Sequence, residues 1–299
     1  MEKIKVYHYD AFATEPGMGN PAGIVLEGDV LTEQQMQAVA KAVGFNESAF
    51  PVSSEKADLR IRFFSPGKEM ELCGHATVAT LYAMKTRGLL GDKEELTVET
   101  KAGILPVWIR EDADGRTWIT MRQAEPQFQP FEGDREKLAP VIGLSAEDLD
   151  GALPVLYGST GTWTLIVPVT GLEACKRMKP DNQKFPQVLR QMPGASIHPM
   201  CLEVNDPMVE MHGRHFSSPT AGTVEDPVTG TASGVMGAYY ARYIRKEWAD
   251  DQEYLVEQGQ EIGRDGRVKI RVYGQQDRPV VEMSGTAVFV KVFEVEYER

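Results

Sequence analysis

The sequence predicts an α+β protein made of two similar halves, and two observations lead to this prediction. Segments that alternate apolar and polar residues, as strands do, are mixed with segments of helical spacing along the chain. In addition, the same two features occur together twice. The first is a four-residue segment that begins with Phe and ends with Ser-Pro, and the second, further along the chain, is a predicted helix start that contains Gly and other small residues. The copies are Phe63–Pro66 with Cys73–Thr77, and Phe216–Pro219 with Thr229–Ser233. Such a duplication predicts one active site between the two halves.

The length also favours two domains. A chain of 299 residues is long enough for a sizeable core and commonly divides in two. We expect an N-terminal domain over 1–125 and a C-terminal domain over 126–285, with the strand near 286–299 as a candidate to return to the first domain. The polar, proline-containing segment Gln123–Gly133 is the best linker candidate.

The first half is expected to hold two helices. Asp29–Val43 has helical spacing, with Thr32 as its N-cap, and Gly74–Arg87 is closed by Gly88. Alternating segments predict the strands, which are Val6–Phe12, Ala22–Leu26, Phe45–Val52, Leu59–Phe64, Leu96–Glu99, Ile104–Arg110 and Trp118–Arg122.

The second half repeats this arrangement. One predicted helix begins at Arg135. Three others cover Leu172–Met178, Gln183–Gln191 and Gly230–Tyr243. Its predicted strands are Ala152–Tyr157, Trp163–Pro168, Ile197–Val204 and Val209–Phe216, with a Val-Glu pair at Val256–Glu257 that matches Val98–Glu99. The tail Arg267–Tyr297 alternates over two or three long strands.

Composition excludes several classes of protein. The net charge is -12, and no cluster of Lys and Arg suits nucleic acid or an anionic membrane. No apolar stretch approaches the roughly 20 residues of a membrane span, and Met1–Val6 alternates like a strand rather than a secretion signal. The three scattered cysteines form no disulfide framework. We expect a cytoplasmic protein with a small-molecule substrate.

The two repeated helix starts are candidate anion sites. A helix start leaves backbone N–H groups without partners and carries partial positive charge, so two facing starts would clamp a small carboxylate. The alternative is that Ser-Pro and Gly-rich turns merely begin two ordinary surface helices.

Glu47 is the candidate acid or base. It lies between Phe45, Ala49 and Phe50 in a segment that otherwise resembles core. Burial among aromatic rings would raise the pKa of its carboxyl group toward neutrality, which suits a group that takes and returns a proton. The alternative is a Glu that points outward from an edge strand.

Three further residues lie near the helix starts. His75 follows Gly74, where an imidazole favours its neutral form, and Asp226 precedes the second start, where it could orient an amine, a hydroxyl or His75. Thr231 offers a hydroxyl and an N–H group. Their alternatives are a structural His, a turn-forming Asp before Pro, and a simple N-cap.

Two other motifs are rejected. Gly17–Ala22 resembles a dinucleotide fingerprint, but Pro21 and the following apolar residues predict a strand where that motif requires a helix. His212 and His215 have the spacing of helical metal ligands, but their surroundings predict a strand, which would point them to opposite faces. We expect no metal site.

Four segments in this order resemble the phenazine-biosynthesis PhzF-like isomerase family. They are Gly19–Gly23, Asn46–Phe50, Cys73–Thr77 and Glu225–Ala232. The resemblance covers nearly the whole chain. It implies a diaminopimelate-epimerase-like fold, in which two pseudo-symmetric domains each wrap a curved sheet around a central helix, with the site in the cleft between them. It also implies a homodimer and a reaction without metal or organic cofactor.

The resemblance also assigns the site residues. In the family's isomerase, which acts on trans-2,3-dihydro-3-hydroxyanthranilate, a glutamate moves a proton between ring carbons, and Glu47 stands at that position. By the same correspondence the catalytic residues are Glu47, His75 and Asp226, and the substrate-binding residues are Asn20, Cys73, Gly74, Gly230 and Thr231. The family's enzyme is similar in having a small hydroxyl residue, serine, where this chain has Thr231, whose extra methyl group would narrow the pocket.

Two alternatives stay open. An amino-acid epimerase of the same fold would use two cysteines, and Cys73 occupies one such position, but Thr229 stands at the other and is a poor base. A noncatalytic protein could use the same carboxylate clamp only to bind its ligand.

Overall fold

The computed structural model describes residues 2–245 and 247–297. The chain divides into two compact units. Unit 1 comprises Met1–Arg122 and Ser284–Arg299, and unit 2 comprises Gln123–Met283. No helix among the described residues is long and apolar enough to cross a membrane.

Unit 1 begins with eight strands and two α-helices. The strands are β1 (Glu2–Ala11), β2 (Asn20–Ile24), β3 (Glu47–Val52), β4 (Leu59–Phe64), β5 (Glu69–Met70), β6 (Glu95–Thr100), β7 (Gly103–Glu111) and β8 (Thr117–Arg122). The helices are α1 (Glu33–Val43) and α2 (Gly74–Thr86), and a 3-10 turn covers Gly28–Val30. The N-cap prediction for α1 is confirmed, since Thr32 and Gln35 form a reciprocal capping box.

Parallel and antiparallel pairs alternate in the sheet of unit 1. β2 pairs parallel with β3, β3 antiparallel with β4, and β4 parallel with β6. β6, β7 and β8 follow as an antiparallel meander. α2 contacts β1, β2, β3 and β8, and its residues from His75 to Leu81 are all buried. A helix buried on every side must be apolar or small all round, which explains its sequence.

Unit 2 contains the next eight strands and four α-helices. The strands are β9 (Gln127–Pro130), β10 (Leu156–Ser159), β11 (Trp163–Pro168), β12 (Ser196–Cys201), β13 (Met211–Gly213), β14 (Asp251–Gln258), β15 (Gly266–Gln275) and β16 (Arg278–Gly285). The helices are α3 (Arg135–Val141), α4 (Leu172–Arg177), α5 (Phe185–Val188) and α6 (Gly230–Tyr239). Short 3-10 turns cover Ala146–Asp148, Asn182–Lys184 and Gln260–Ile262, and a π-helix covers Tyr240–Ile244.

Unit 2 repeats the pairing order of unit 1. β11 pairs parallel with β12, β12 antiparallel with β13, β13 parallel with β14, and β14 antiparallel with β15. α6 is buried along almost its whole length and contacts β10 and β15. The final strand, β17 (Ala287–Tyr297), belongs to unit 1 and pairs antiparallel with β1 over its full length.

Several sequence predictions differ from the structure. The predicted linker Gln123–Gly133 contains strand β9, which pairs with β10, and Phe128 of β9 packs against Tyr239 of α6. The predicted helix Gln183–Gln191 is reduced to a 3-10 turn and the single turn α5. The predicted strand Val209–Phe216 is only the three residues of β13, and Phe216 makes isolated bridges instead.

Candidate active site

The start of helix α2 brings together three side chains that the sequence singles out. Glu47 is the first residue of β3, Cys73 is the N-cap of α2, and His75 is the second residue of that helix. The Oε2 atom of Glu47 lies 3.3 Å from Nε2 of His75. The Sγ atom of Cys73 lies 3.4 Å from Nδ1 of the same ring. The imidazole therefore contacts both a carboxylate and a thiol.

Burial sets the charge of this cluster. His75 is 7% exposed, and burial lowers the pKa of its imidazole from 6.5 to about 4, because the charged ring would lose its hydration. The ring is therefore neutral at neutral pH, with one nitrogen as donor and the other as acceptor. Such a ring can donate a hydrogen bond to the carboxylate or to a bound ligand.

Glu47 is neither sealed in the core nor directed into open solvent. Its side chain is 19% exposed, and β3 has a strand partner on each side, β2 and β4. The alternative of an outward-pointing Glu on an edge strand is therefore wrong. A partly buried carboxylate beside a helix start can contact the protein on one side and a ligand on the other.

The two central helices begin in the same way. Cys73 and Thr229 are the N-caps of α2 and α6, both have extended backbone, and neither caps its helix through its side chain. Instead, Thr77 donates its hydroxyl to the Cys73 carbonyl at 2.7 Å, and Ser233 donates to the Thr229 carbonyl at 2.9 Å. Thr231, which the sequence allowed as a simple N-cap, is a residue of the first turn.

Asp226 lies in the turn before α6. Its carboxylate accepts a hydrogen bond from the Thr229 hydroxyl, and its backbone N–H donates to the His215 carbonyl at 2.9 Å. The Thr231 carbonyl accepts a hydrogen bond from the Thr160 hydroxyl at 3.0 Å. Asp226 thus orients a hydroxyl group within unit 2.

Asn20 opens strand β2 and is fully buried. The loop before it is held by Asp10 of β1, whose Oδ2 accepts from the Gly17 N–H at 2.7 Å and whose Oδ1 lies 2.9 Å from Nε2 of His8. The strand predicted after Gly19, where a dinucleotide fingerprint requires a helix, is confirmed as β2.

Two residues near the candidate site were missed by the sequence analysis. Asp10 is completely buried in β1, and Gln258 closes β14 with 1% exposure. An aspartate near the end of a predicted strand and a glutamine directly after the repeated Val-Glu pair were the available signals. The signal at Gln258 identifies no partner, because the groups that Gln258 contacts are distant in sequence.

The donor atoms of Glu47, Cys73 and His75 all lie within 4.8 Å of one another, which is close enough for a metal ion to bind all three. Carboxylate, thiolate and imidazole are zinc ligands. His212 and His215, which the sequence analysis rejected as a pair of metal ligands, each contact other side chains. His212 lies between Glu257 and Glu261, and Nδ1 of His215 lies 3.2 Å from Nδ1 of His198.

Comparison with known proteins identifies relatives along nearly the whole chain. The family model described as phenazine biosynthesis-like protein matches residues 9–292. The "Uncharacterized isomerase YfhB" of Bacillus subtilis is 53% identical over 97% of this chain and 97% of its own. A crystal structure of the Bacillus anthracis phenazine biosynthesis protein, PhzF family, is 59% identical with a TM-score of 0.97, covering 99% of this chain and 100% of that one.

Two more distant comparisons concern activity and fold. A trans-2,3-dihydro-3-hydroxyanthranilate isomerase of Pseudomonas aeruginosa is 31% identical over 92% of this chain and 93% of its own. A hydroxyproline epimerase from Agrobacterium vitis shares the fold, with a TM-score of 0.62 at 11% identity, over 99% of this chain and 91% of that one. The predicted α+β, diaminopimelate-epimerase-like fold is confirmed.

Proposed function

Because the chain belongs to the phenazine biosynthesis-like family of isomerases, we propose that it moves a proton between two carbons of a small unsaturated or cyclic carboxylate, with Glu47 as the general acid and base and without a cofactor. One observation carries this proposal: the contact of 3.3 Å between the Glu47 carboxylate and the His75 ring at the start of α2.

The first step is removal of a proton from carbon. When that carbon is conjugated to a carboxylate, negative charge develops on the carboxylate oxygens. Backbone N–H groups of the first turn of α2, around Gly74, would stabilise this charge, and by the same proposal those around Gly230 contribute from α6. The N–H groups of each start are held in place by their own helix, so little reorganisation of them is needed during the reaction.

The second step returns the proton to another carbon. A single Glu47 carboxyl group can do this, since the acid formed in the first step is the donor in the second. We propose that neutral His75 holds Glu47 and the substrate in register through hydrogen bonds. The other proposed site residues, which orient the substrate, are Asp226, Thr231, Asn20 and Cys73.

The substrate class follows from the chemistry and from the relatives. Trans-2,3-dihydro-3-hydroxyanthranilate, named for the Pseudomonas aeruginosa relative, is such a cyclic carboxylate. Since Thr231 presents a methyl group as well as a hydroxyl, we propose that this chain takes a related carboxylate of different shape. We also propose a homodimer and, from its three free thiols, a reducing cytoplasmic location.

The test is incorporation of solvent deuterium into a panel of conjugated and cyclic carboxylates, followed by NMR. The panel includes trans-2,3-dihydro-3-hydroxyanthranilate. Deuterium at a new carbon, with the double bond moved, is the expected result. Activity that survives exhaustive dialysis against a chelator would support the cofactor-independent form of the proposal, whereas loss and recovery with zinc would contradict it.

A second candidate is an amino-acid epimerase, because the Cys73 thiol at the N-cap of α2 lies against the neutral His75 ring. That enzyme would incorporate deuterium with inversion at the α-carbon of a chiral amino acid. Binding of carboxylates without any exchange would instead identify a noncatalytic binding protein.

A further inference from the structure

Gln258 connects strand β14 to the turn that contains Asp226. Its Oε1 atom accepts a hydrogen bond from the Thr229 N–H at 3.3 Å, and its Nε2 atom donates to the Asp226 carbonyl at 2.9 Å. The same nitrogen lies 3.4 Å from the Thr229 hydroxyl oxygen. One buried amide therefore contacts both ends of the turn Asp226–Thr229.

An amide side chain is suited to this pair of contacts. The turn offers an acceptor, the Asp226 carbonyl, and a donor, the Thr229 N–H, so its partner must carry a donor and an acceptor together. A carboxylate would supply only acceptors and an aliphatic side chain neither. Leaving either backbone group unpaired inside the protein would destabilise the turn.

The turn is held against the end of β14 by the backbone as well. Gly259 follows Gln258 with a φ of +97°, and a Cβ atom there would lie 2.8 Å from the Pro227 carbonyl oxygen. Glu257, the residue before Gln258, accepts a hydrogen bond on Oε1 from the Asn205 N–H at 2.7 Å, and the same oxygen lies 3.0 Å from Nδ1 of His212. Neighbouring residues of a strand point to opposite faces, so this strand end is anchored on both sides.

The first turn of α6 has further supports. Gln123 donates from Nε2 to the Gly230 carbonyl at 3.1 Å, and Thr160 donates to the Thr231 carbonyl at 3.0 Å. These contacts fix the helix itself. Gln258 instead fixes the turn in front of the helix, where Asp226 lies.

We propose that Gln258 is a positioning residue, which sets the placement of Asp226 and of the Thr229 N-cap for the reaction. This inference rests on the proposed function for the role of Asp226, and on hydrogen bonds alone for the placement of the turn. A displacement of a catalytic group by about 1 Å can cost roughly 100-fold in rate. The side chain therefore controls turnover without being required to touch the substrate.

The experiment compares Gln258→Met with Gln252→Met. Gln252 is a matched control, since it is also a buried glutamine of β14, and its Nε2 donates to the Ala249 carbonyl at 2.8 Å, far along the strand from the turn. Both changes remove one buried amide. Gln258→Glu is the conservative variant, which keeps the acceptor for Thr229 but loses the donor for Asp226.

Two measurements decide the outcome. The first is the turnover of any carboxylate that the wild-type protein labels with deuterium. Gln258→Met is expected to lower kcat roughly 10-fold to 100-fold, with a smaller change in KM. The kcat of Gln252→Met should stay within about twofold of the wild-type value, and that of Gln258→Glu should lie between those of the two Met variants. Backbone hydrogen exchange of segment 226–233 is expected to accelerate in Gln258→Met and not in Gln252→Met.

The failures are distinguishable. If the wild-type protein labels the panel and Gln258→Met turns over as fast as Gln252→Met, the inference is wrong and the proposed function stands. If the wild-type protein labels nothing, the proposed function fails, and hydrogen exchange then decides whether Gln258 places the turn. Equal exchange of segment 226–233 in the two variants would overturn that placement.

Discussion

The two units share their strand pairings and their helix starts, but they differ at the first residue of one strand, β3 in unit 1 and β12 in unit 2. In unit 1 this position is Glu47, which pairs with Ala22 of β2. In unit 2 the corresponding position of β12 is Ser196, which pairs with Thr164 of β11. Ser196 donates its hydroxyl to the Thr164 hydroxyl oxygen at 2.8 Å. The same backbone position thus holds an acid in one copy and a structural hydrogen bond in the other.

The units also differ at the strand that follows the central helix. In unit 2, Gln258 ends β14 and fixes the turn with Asp226, whereas Thr100 ends β6 of unit 1 and donates its hydroxyl to the nearby Gly103 carbonyl at 3.0 Å. The strand pairings and the helix starts are therefore alike in the two units, while the side chains around each start differ. The shared frame supplies helix-start N–H groups twice and the carboxylate proposed for proton transfer once.

The largest expected effect comes from exchanging that single acid. Glu47→Gln keeps the size of the side chain but cannot carry a proton, so deuterium incorporation should fall about 10²–10⁴-fold. Ser196→Ala, the change at the matching position of unit 2, should leave incorporation within about twofold and lower the free energy of unfolding by about 1 kcal/mol. Full turnover by Glu47→Gln, measured by NMR, would remove Glu47 from the mechanism.

Asp226→Asn should have a smaller effect. The amide keeps the shape and can still accept the Thr229 hydroxyl, but it loses the negative charge, and we expect a decrease of kcat of roughly tenfold to 100-fold. Asp277→Asn, at an exposed position of the same unit, removes the same charge and serves as the control. Steady-state rates on a labelled substrate provide the measurement, and equal rates for the two variants would contradict a role for Asp226.

A change of pH should have opposite effects on the stability contributed by His75 of unit 1 and by His212 of unit 2. Burial lowers the pKa of His75 to about 4, so the unfolded chain binds more protons than the folded chain between pH 4 and 6.5, and stability falls as the pH is lowered through this range. Burial also opposes charge on His212, but hydrogen bonds to Glu257 and Glu261 outweigh it and raise the pKa to about 9. The stability from His212 is therefore complete below pH 6.5 and is lost as the pH rises through about 9.

Urea unfolding across this pH range tests both directions. The stability of His75→Gln should decrease less than that of the wild-type protein on acidification. His212→Gln, which leaves two buried carboxylates without their partner, should be less stable than the wild-type protein by about 3–5 kcal/mol near neutral pH, and the difference should narrow in alkali. Parallel curves for the wild-type protein and His75→Gln would show that His75 is not buried in its neutral form.

The smallest expected effect is shared by both units. Thr77→Val and Ser233→Ala each remove the hydroxyl that donates to an N-cap carbonyl, and each should lower the free energy of unfolding by about 1 kcal/mol. Denaturant unfolding compares the two values directly. A cost confined to one variant would mean that the matching contacts at the two helix starts are not equivalent in energy.

Local patterns in the sequence were sufficient for much of the fold. The starts of α2 and α6 were predicted at Gly74 and Gly230, where the structure places them, because a Gly before a small-residue segment is a local signal. The tail was predicted as two or three strands and forms β15, β16 and β17. The family resemblance assigned Glu47 and His75 to one site, but their contact was not predicted, since 28 positions separate them in the chain.

Features that depend on distant partners were not predictable. Strand β9 was interpreted as linker because Pro126 and Pro130 hide its pairing with β10. The bonds of Gln258 to the turn before α6 join residues that are 29 and 32 positions apart, and no pattern of a single sequence specifies such a pair. Residues that position a site through distant contacts are therefore harder to identify from sequence than the helices and strands on which they lie.

The pairing of β17 with β1 has a consequence for biosynthesis. Unit 1 is assembled from segments on both sides of unit 2. Its first strand, β1, pairs with β2 on one side and gains its other partner, β17, only when residues 287–297 have been made. During translation, unit 2 has its whole contiguous segment available while β1 still lacks that neighbour. The ribosome must therefore deliver almost the entire chain before the sheet beside Glu47 can close.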